Sequence, residues 1–549
     1  MEEIKEKCGV LGVYHPGRAA RSTYFGLYAL QHRGQEGAGV ASSSIKNATF
    51  KCHRGMGLVP QIFSEETIRE LEGDMAIGHT RYSTFGSSEL INAQPFSIDT
   101  LHGPLALVHN GQITTATALR KKLMAKGLGM FTRSDSEVLA QLLARPLEWE
   151  DENGSPDWEN RIRSIMRQSQ GAYSVVIMTG DGLFAFRDPL GLRPLCVGAI
   201  KNDVGEREGY VVASETCALE TLKAEFVREV PPGGIVCIDR KGKMNFSPAP
   251  RQIQTRSAFC IFEFVYFARP DSSFGGILVH QARQQLGRQL AREHPCPEAD
   301  MVMGVPDSST AAAIGFSMET GAPFNEGLTK NRYIARSFIQ PSDKSRQSTI
   351  AMKYNPLHAN LQGKNVVVVD DSIVRGNTLM YLVRLLREAK PKSIHIRISS
   401  PPVRHPCFMG INMSTYEELI ANKKSIEEIR VHLGANSLGY LSVNGMEKAI
   451  LSSEKDPNKV TIEEDVEKPK SKESPFCKAC FDGQYPLDIE DMVGSMLESK
   501  TLAVRQTSFP SYAEGMVVDC EVADGSQSQK RKATDTTNSV PNKKQRSIE

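Results

Sequence analysis

The 549-residue sequence has no apolar run near the roughly 18 residues that a membrane-crossing helix needs. An excess of one charge is also missing. Lys and Arg number 66 and Asp and Glu 64, a formal net charge of +2, so no global field draws the chain to nucleic acid or a membrane surface. The start, "MEEIKEK", lacks the apolar stretch of a secretory signal. No internal repeat is visible. The eleven cysteines do not read as a disulfide framework, which belongs to small secreted chains, so some are candidate ligands or nucleophiles. What remains is ordinary globular material, 40% hydrophobic and 24% charged, long enough for two or three domains.

To about residue 245 the chain is rich in short strands and glycine turns. Examples are "CGVLGVY", "LALVHNGQIT", the hairpin "AYSVVIMTGDGLFAFRD" and "GGIVCIDRKGKMNF". Helical spacing is expected over Thr23–Gln31, Ser136–Leu143 and Trp158–Gln168. The pattern predicts an α+β domain of antiparallel sheets with helices outside. The polar stretch "SPAPRQIQTRS" marks a boundary, and beyond Arg283 helix and strand alternate, as in a parallel α/β domain. Glu454–Glu473 reads as a charged linker, and from about Gln506 the composition is that of a disordered tail.

The most informative stretch is "NVVVVDDSIVRGNTL", Asn365–Leu379. A short β-branched run ends in two carboxylates, then a loop of small residues, then a helix closed at Lys390-Pro391. In open α/β sheets ligands sit where strands end. Free amides at the helix start suit a phosphate, and the acids suit something cationic or hydroxylated beside it. No lysine stands where a Walker loop needs one. The string resembles the phosphoribosyl diphosphate (PRPP) signature of type I phosphoribosyltransferases. That resemblance assigns Asp370 and Asp371 to the ribose hydroxyls and Mg²⁺, and Ser372, Val374, Arg375, Gly376, Asn377 and Thr378 to the PRPP loop. "VPDSST" looks like the second loop, with Ser308 near diphosphate and metal. Lys330–Gln347, with five basic residues, reads as a lid over diphosphate that contributes Lys330 and Arg336.

From Cys8 on, "CGVLGVY", "LQHRGQEGAG", "GHTRYSTFG", "HNGQI" and "SDSE" follow in order. They resemble the class II, N-terminal-nucleophile glutamine amidotransferases. The resemblance makes Cys8 the nucleophile once Met1–Lys7 is removed as a propeptide, with the freed α-amine as its base. It places Arg81 on the glutamine carboxylate, Asp135 on its α-amine, and Asn110 and Gly111 in the oxyanion hole.

Together the two halves, with "RDPLGLRPL", "FEFVYFARPDS" and "LGYLS" between and after them, are similar to the amidophosphoribosyltransferase family from Cys8 to about Leu487. The fold this implies is an α+β glutaminase domain layered α/β/β/α, residues 8–245, followed by an α/β type I phosphoribosyltransferase domain with a parallel sheet, 246–487, and an extension, 488–549. The implied reaction is glutamine-dependent synthesis of 5-phosphoribosylamine, the first committed step of de novo purine synthesis, with ammonia channelled from Cys8 to C1 of PRPP. The family also implies a homotetramer, feedback inhibition by purine nucleotides, a cytoplasmic location, and no nucleic-acid or membrane partner. Three departures stand out: Asn377 where the family usually has Thr, Ser337 for a common Thr, and "RQSTIAMK" in the lid.

"SPFCKACFDG" holds Cys477 and Cys480 in a C-x-x-C that alone is compatible with zinc, redox chemistry or no ligand. The resemblance adds Cys260 and Cys407 as the remaining ligands of a structural [4Fe–4S] cluster, although four thiolates also suit zinc. Cysteines 52, 196, 217, 237, 296 and 520 are expected in core or surface. The terminal "KRKATDTTNSVPNKKQR" has the look of a bipartite nuclear-import signal or of a solvated tail. Two rival readings are a glucosamine-6-phosphate-synthase-like amidotransferase, which would need sugar-isomerase domains, and a non-catalytic PRPP or purine sensor.

Overall fold

Strand Gly9–Tyr14 is buried over its whole length, because it lies inside a stack of layers. It is fourth in a seven-stranded antiparallel sheet. The order is Ala224–Glu229, Cys196–Lys201, Arg207–Ala213, Gly9–Tyr14, Met75–Arg81, Gly37–Ser43, Phe50–Met56. Successive side chains point to opposite faces. Leu11 and Val13 join Leu27 and Ala20 of helix Ala19–Ala29 in one core. Val10 and Tyr14 join Val176, Met178 and Val236 of a second sheet in another.

The second sheet has six antiparallel strands, ordered Met244–Ser247, Ile235–Asp239, Gly182–Arg187, Gly171–Thr179, Gly103–Ile113, Phe96–Thr100. Its far face is covered by helices Asp135–Ala144 and Trp158–Gln168 through Val138, Leu139, Ile162 and Ile165. The layering is therefore α/β/β/α, as the strand-and-turn pattern predicts. Helix Trp158–Gln168 has the ends read from sequence; Asp157 caps it by accepting from the Asn160 amide at 3.0 Å. The helix expected over Thr23–Gln31 instead runs Ala19–Ala29, followed by a single 3₁₀ turn, Gln31–Arg33.

Beyond Val279–Glu293, a four-stranded parallel sheet orders Met301–Gly304, Asn365–Asp370, Ser393–Ile398 and Ser437–Tyr440. Val367 and Val369 face one core and Val366 and Val368 another, which is why the run is β-branched throughout. A parallel two-residue pair, Phe259–Cys260 with Phe476–Cys477, joins the end of the folded chain to the segment after the glutaminase sheets.

The computed structural model describes residues 8–46, 50–82, 89–150, 154–250, 253, 256–331, 352–411, 415–459 and 474–489. The expected propeptide Met1–Lys7, Arg336 with most of the expected lid, the greater part of the expected linker, and the expected tail lie outside the described residues.

Candidate active site

Cys8 immediately precedes the central strand Gly9–Tyr14. Its Sγ lies 3.4 Å from the Tyr82 carbonyl and 3.5 Å from the Tyr82 amide, just past the neighbouring strand. A small cleft opens there, and Cys8, Arg81, His109, Gly111 and Asp135 line it. Four of the five residues expected around glutamine are thus brought together. The fifth, Asn110, is 1% exposed, and neither polar atom of its side chain has a hydrogen-bond partner. A buried carboxamide left so is costly, and the cost is recovered if the amide donates to a developing oxyanion.

Burial pushes the Cys8 thiol up to about 11, despite the hydrogen bond with Tyr82 and the Arg81 charge. It is protonated at neutral pH and needs a base to become a nucleophile. Asp135 opens helix Asp135–Ala144, and its Oδ2 accepts from the Ile113 amide at 3.0 Å, which ties it to the strand that carries Asn110 and Gly111. His109 was not singled out from sequence, although it stands inside the "HNGQI" string. Its Nδ1 faces Ser136 Oγ at 3.2 Å and Asp135 Oδ1 at 3.7 Å, and Gln94 Oε1 accepts from its backbone amide at 2.6 Å. Burial lowers its pKa, with the Asp135 charge opposing, so the ring is neutral at pH 7 and leaves the Asp135 charge uncancelled.

Behind the nucleophile runs a buried ion network that the sequence reading missed. Arg33 Nε donates to the Cys8 carbonyl at 3.2 Å, and its two Nη groups meet Glu263 at 3.1 and 3.0 Å. Arg33 also pairs with Glu215, which accepts from His32 at 2.7 Å, the Arg269 amide at 3.0 Å and Ser272 Oγ at 2.6 Å. Arg33 and Glu215 belong to the glutaminase sheets' side, while Glu263, Arg269 and Ser272 follow the Cys260 segment. Burial raises the Glu215 pKa, but the His32 and Arg33 charges and the hydrogen bonds outweigh it and hold the carboxyl well below the usual range. A depressed carboxyl stabilises the fold above its unfolded pKa and loses that contribution as pH falls through the folded value. Glu215→Gln is therefore expected to cost about 3–5 kcal/mol at pH 7, the usual result of breaking a buried pair. The gap from the unmodified chain in denaturant melts should narrow below about pH 4.5. An equal cost at pH 7 and pH 4 would contradict the charge argument.

At the other site, Asp370 ends its strand and Asp371 begins the loop, half-buried and buried respectively. Ser309 Oγ donates to Asp370 Oδ1 at 2.9 Å and lies 3.4 Å from Asp371 Oδ2. Sequence reading had named its neighbour Ser308; Ser309 is the serine that the "VPDSST" turn presents to both acids. Ser372 Oγ donates to Asp371 Oδ1 at 2.6 Å. Gly376, at φ +81, turns the loop into the 12-residue helix Asn377–Glu388, whose first residues are Asn377 and Thr378. Ile373 and Val374 are buried and anchor the loop, and the Val374 carbonyl accepts from the Ile420 amide at 2.9 Å. Arg375 pairs with Glu418 at 3.0 Å, and Lys330 pairs with Asp307 of the second loop.

Cys260, Cys407, Cys477 and Cys480 converge from three parts of the chain. Cys260 and Cys477 are register partners, and the Arg404 and His405 amides donate to the Cys480 carbonyl at 3.0 and 3.1 Å. Burial raises the pKa of all four thiols. Arg193, fully buried, acts on three of them with its charge, and its Nε and Nη1 have no hydrogen-bond acceptor. Among the described residues one trio of metal-type ligand atoms lies within 4.8 Å of one another, and it is elsewhere: Cys296, Glu298 and His395. There both imidazole nitrogens already meet serines, Ser393 at 2.8 Å and Ser437 at 2.9 Å, and the Arg397 charge acts on Cys296. That trio suits a polar cluster better than a cation.

Comparison with known proteins follows the same division. A glutamine amidotransferase domain model matches residues 79–221 and a phosphoribosyl transferase domain model residues 290–400. The chain is 44% identical over 513 residues to an amidophosphoribosyltransferase of Rattus norvegicus, covering 89% of this chain and 98% of that one. Among solved structures it is similar to a glutamine PRPP amidotransferase from B. subtilis complexed with ADP and GMP, at 42% identity and TM-score 0.76, covering 88% of this chain and 98% of that one. A structure described as the allosteric regulatory enzyme of purine biosynthesis matches at 42% identity and TM-score 0.77, covering 88% and 97%.

Proposed function

The chain belongs to the amidophosphoribosyltransferase family, and from that premise we propose that it makes 5-phosphoribosylamine from PRPP and glutamine, releasing glutamate and diphosphate. This is the first committed step of de novo purine synthesis. The observation that carries the reading is the pairing, in one folded unit, of a cleft holding Cys8, Arg81, Gly111 and Asp135 with a parallel strand that ends in the Ser309–Asp370–Asp371 group. The test is PRPP-dependent glutamate release by purified protein. Glutamate release indifferent to PRPP would point to a plain glutaminase.

In this reading residues 8–245 form the glutaminase domain and 246–487 the transferase domain. Arg81 binds the glutamine carboxylate and Asp135 its α-amine, a fixed cation for an anion and an anion for a cation. The α-amine of Cys8, freed by removal of Met1–Lys7, takes the thiol proton. The thiolate attacks the side-chain amide, and Asn110 with Gly111 stabilises the oxyanion. Water then releases glutamate, while ammonia passes inside the protein to C1 of PRPP, where outside it would be protonated.

The donor set at the transferase site, two carboxylates with a serine hydroxyl, suits Mg²⁺. Asp370 and Asp371 would hold it, and bound metal neutralises charge on the departing diphosphate. The loop from Ser372 to Thr378 presents its amides to the 5′-phosphate. Lys330 is free to exchange Asp307 for diphosphate, and Arg336 of the lid adds a second cation.

The four buried thiols, converging from three parts of the chain, suit the thiolate set of a [4Fe–4S] cluster. The buried Arg193 guanidinium, whose charge acts on Cys260, Cys407 and Cys477, suits the negative charge of a thiolate-bound cluster. Bound cluster supplies folding free energy by tying the 476–489 segment to the body. Anaerobically purified protein should carry about four irons per chain and absorb broadly in the visible. Cys477→Ser should lose iron and solubility together, and Cys52→Ser, on an exposed strand position, should be nearly silent. Zinc without iron would contradict the assignment.

No helix among the described residues is long and apolar enough to cross a membrane. A homotetramer inhibited by purine nucleotides, in the cytoplasm, completes the proposal.

A further inference from the structure

The loop that carries Cys407 rests directly on the glutamine cleft. The Met409 amide donates to Cys407 Sγ at 3.3 Å, and its carbonyl accepts from Arg193 Nη2. Phe408 and Met409 are buried against Ala172, the strand neighbour of Gly111 and Gln112. Gly410 then adopts φ +87, and a Cβ built on it would stand 2.8 Å from the carbonyl carbon of Gly111, 3.0 Å from its Cα and 3.2 Å from the Gln112 nitrogen. Gly111 itself sits at φ +146, and a Cβ there would stand 1.8 Å from the Ala172 carbonyl oxygen. Gly111 is thus held between Ala172 of its own sheet and Gly410 of the transferase half. Both contacts are backbone to backbone, with no side chain to absorb a shift.

We infer that the Cys407–Gly410 loop is a positioning strut for the oxyanion hole, so that the four-thiol site and Arg193 set the orientation of the Gly111 peptide. The inference rests on the reading of Asn110 and Gly111 as the oxyanion donors. An oxyanion donor works only when it lies about 2.7–3.1 Å from the developing charge. A displacement of a few tenths of an ångström at Gly111 therefore lowers kcat. The atoms nearest a Cβ at Gly410 belong to Gly111 and Gln112, not to Arg81 or Asp135, which in this reading hold the amino-acid end of glutamine, so binding is expected to change less than turnover.

The test compares Gly410→Ala, Phe408→Leu and Asn110→Ala in the full-length, iron-loaded enzyme, with glutamine and with ammonium as nitrogen sources. Gly410→Ala should cut kcat with glutamine about tenfold or more, leave KM for glutamine within about twofold, and leave ammonium-dependent synthesis and iron content near those of the unmodified enzyme. Phe408→Leu, which introduces no backbone strain, should act in the same direction more weakly and decides the matter if Gly410→Ala does not fold. Asn110→Ala should abolish glutamine use. Normal glutamine kcat in both loop variants, or loss shared equally by the ammonium reaction, would each overturn the strut while Asn110→Ala stays inactive. Full glutamine turnover by Asn110→Ala would instead remove the oxyanion reading on which the strut depends.

Discussion

Cys8→Ala is expected to abolish glutamine-dependent synthesis while leaving synthesis from ammonium salts close to that of the unmodified enzyme. Among the described residues Sγ is the one sulfur lining the cleft, and a thiol is a far better nucleophile at neutral pH than the Ser134 and Ser136 hydroxyls beside it. Loss of a nucleophile costs roughly 10⁴-fold or more. The carboxylates proposed to hold the second substrate follow a strand of a separate parallel sheet, which has its own core on each face. Ammonium needs only that second site. The comparison is made at alkaline pH, where more of the added nitrogen is free ammonia. Equal loss with both nitrogen sources would mean that Cys8 supports the whole fold rather than one reaction. The raised thiol pKa adds a check, because Cys8 should alkylate slowly at pH 7 when Met1–Lys7 is retained and faster once an α-amine stands beside it.

Asp371→Asn is expected to cripple both reactions. Asp371 is 7% exposed and holds Ser372 and, more distantly, Ser309. An amide keeps the shape but removes the charge that would hold metal and accept from a ribose hydroxyl. Each charge-assisted hydrogen bond of that kind contributes about 1.5–3 kcal/mol, so a loss of two or three orders of magnitude in kcat/KM for PRPP is expected, with the melting temperature little changed. Asp370→Asn should behave alike. Normal PRPP turnover in either variant would show that the acid-ended strand serves another purpose.

Much of this was legible in the chain. "VVVVDDSIVRGNT" encodes its own geometry, because a doubly buried parallel strand must be β-branched throughout, and the loop after it must be small. The layered glutaminase fold followed from alternation and glycine turns. Less legible was anything fixed by contacts between distant segments. That Ser309 bonds Asp370 depends on how one turn is wound, which the sequence does not reveal. Arg33, Glu215 and Glu263 carry no motif of their own, and only the meeting of three segments buries them. Gly410 passed unnoticed because its partner, Gly111, is also a glycine and neither carries a side chain to form a motif.

The central claim is that one chain cuts glutamine at Cys8 and delivers the ammonia internally to the Asp370–Asp371 site. Its most direct test is a nitrogen-tracing experiment: unmodified enzyme, PRPP, Mg²⁺ and glutamine labelled with ¹⁵N at the side-chain amide, in the presence of excess unlabelled ammonium. The account predicts phosphoribosylamine that is almost wholly ¹⁵N-labelled, and unlabelled product from Cys8→Ala under the same conditions. Label diluted to the level of the bulk ammonium would contradict it.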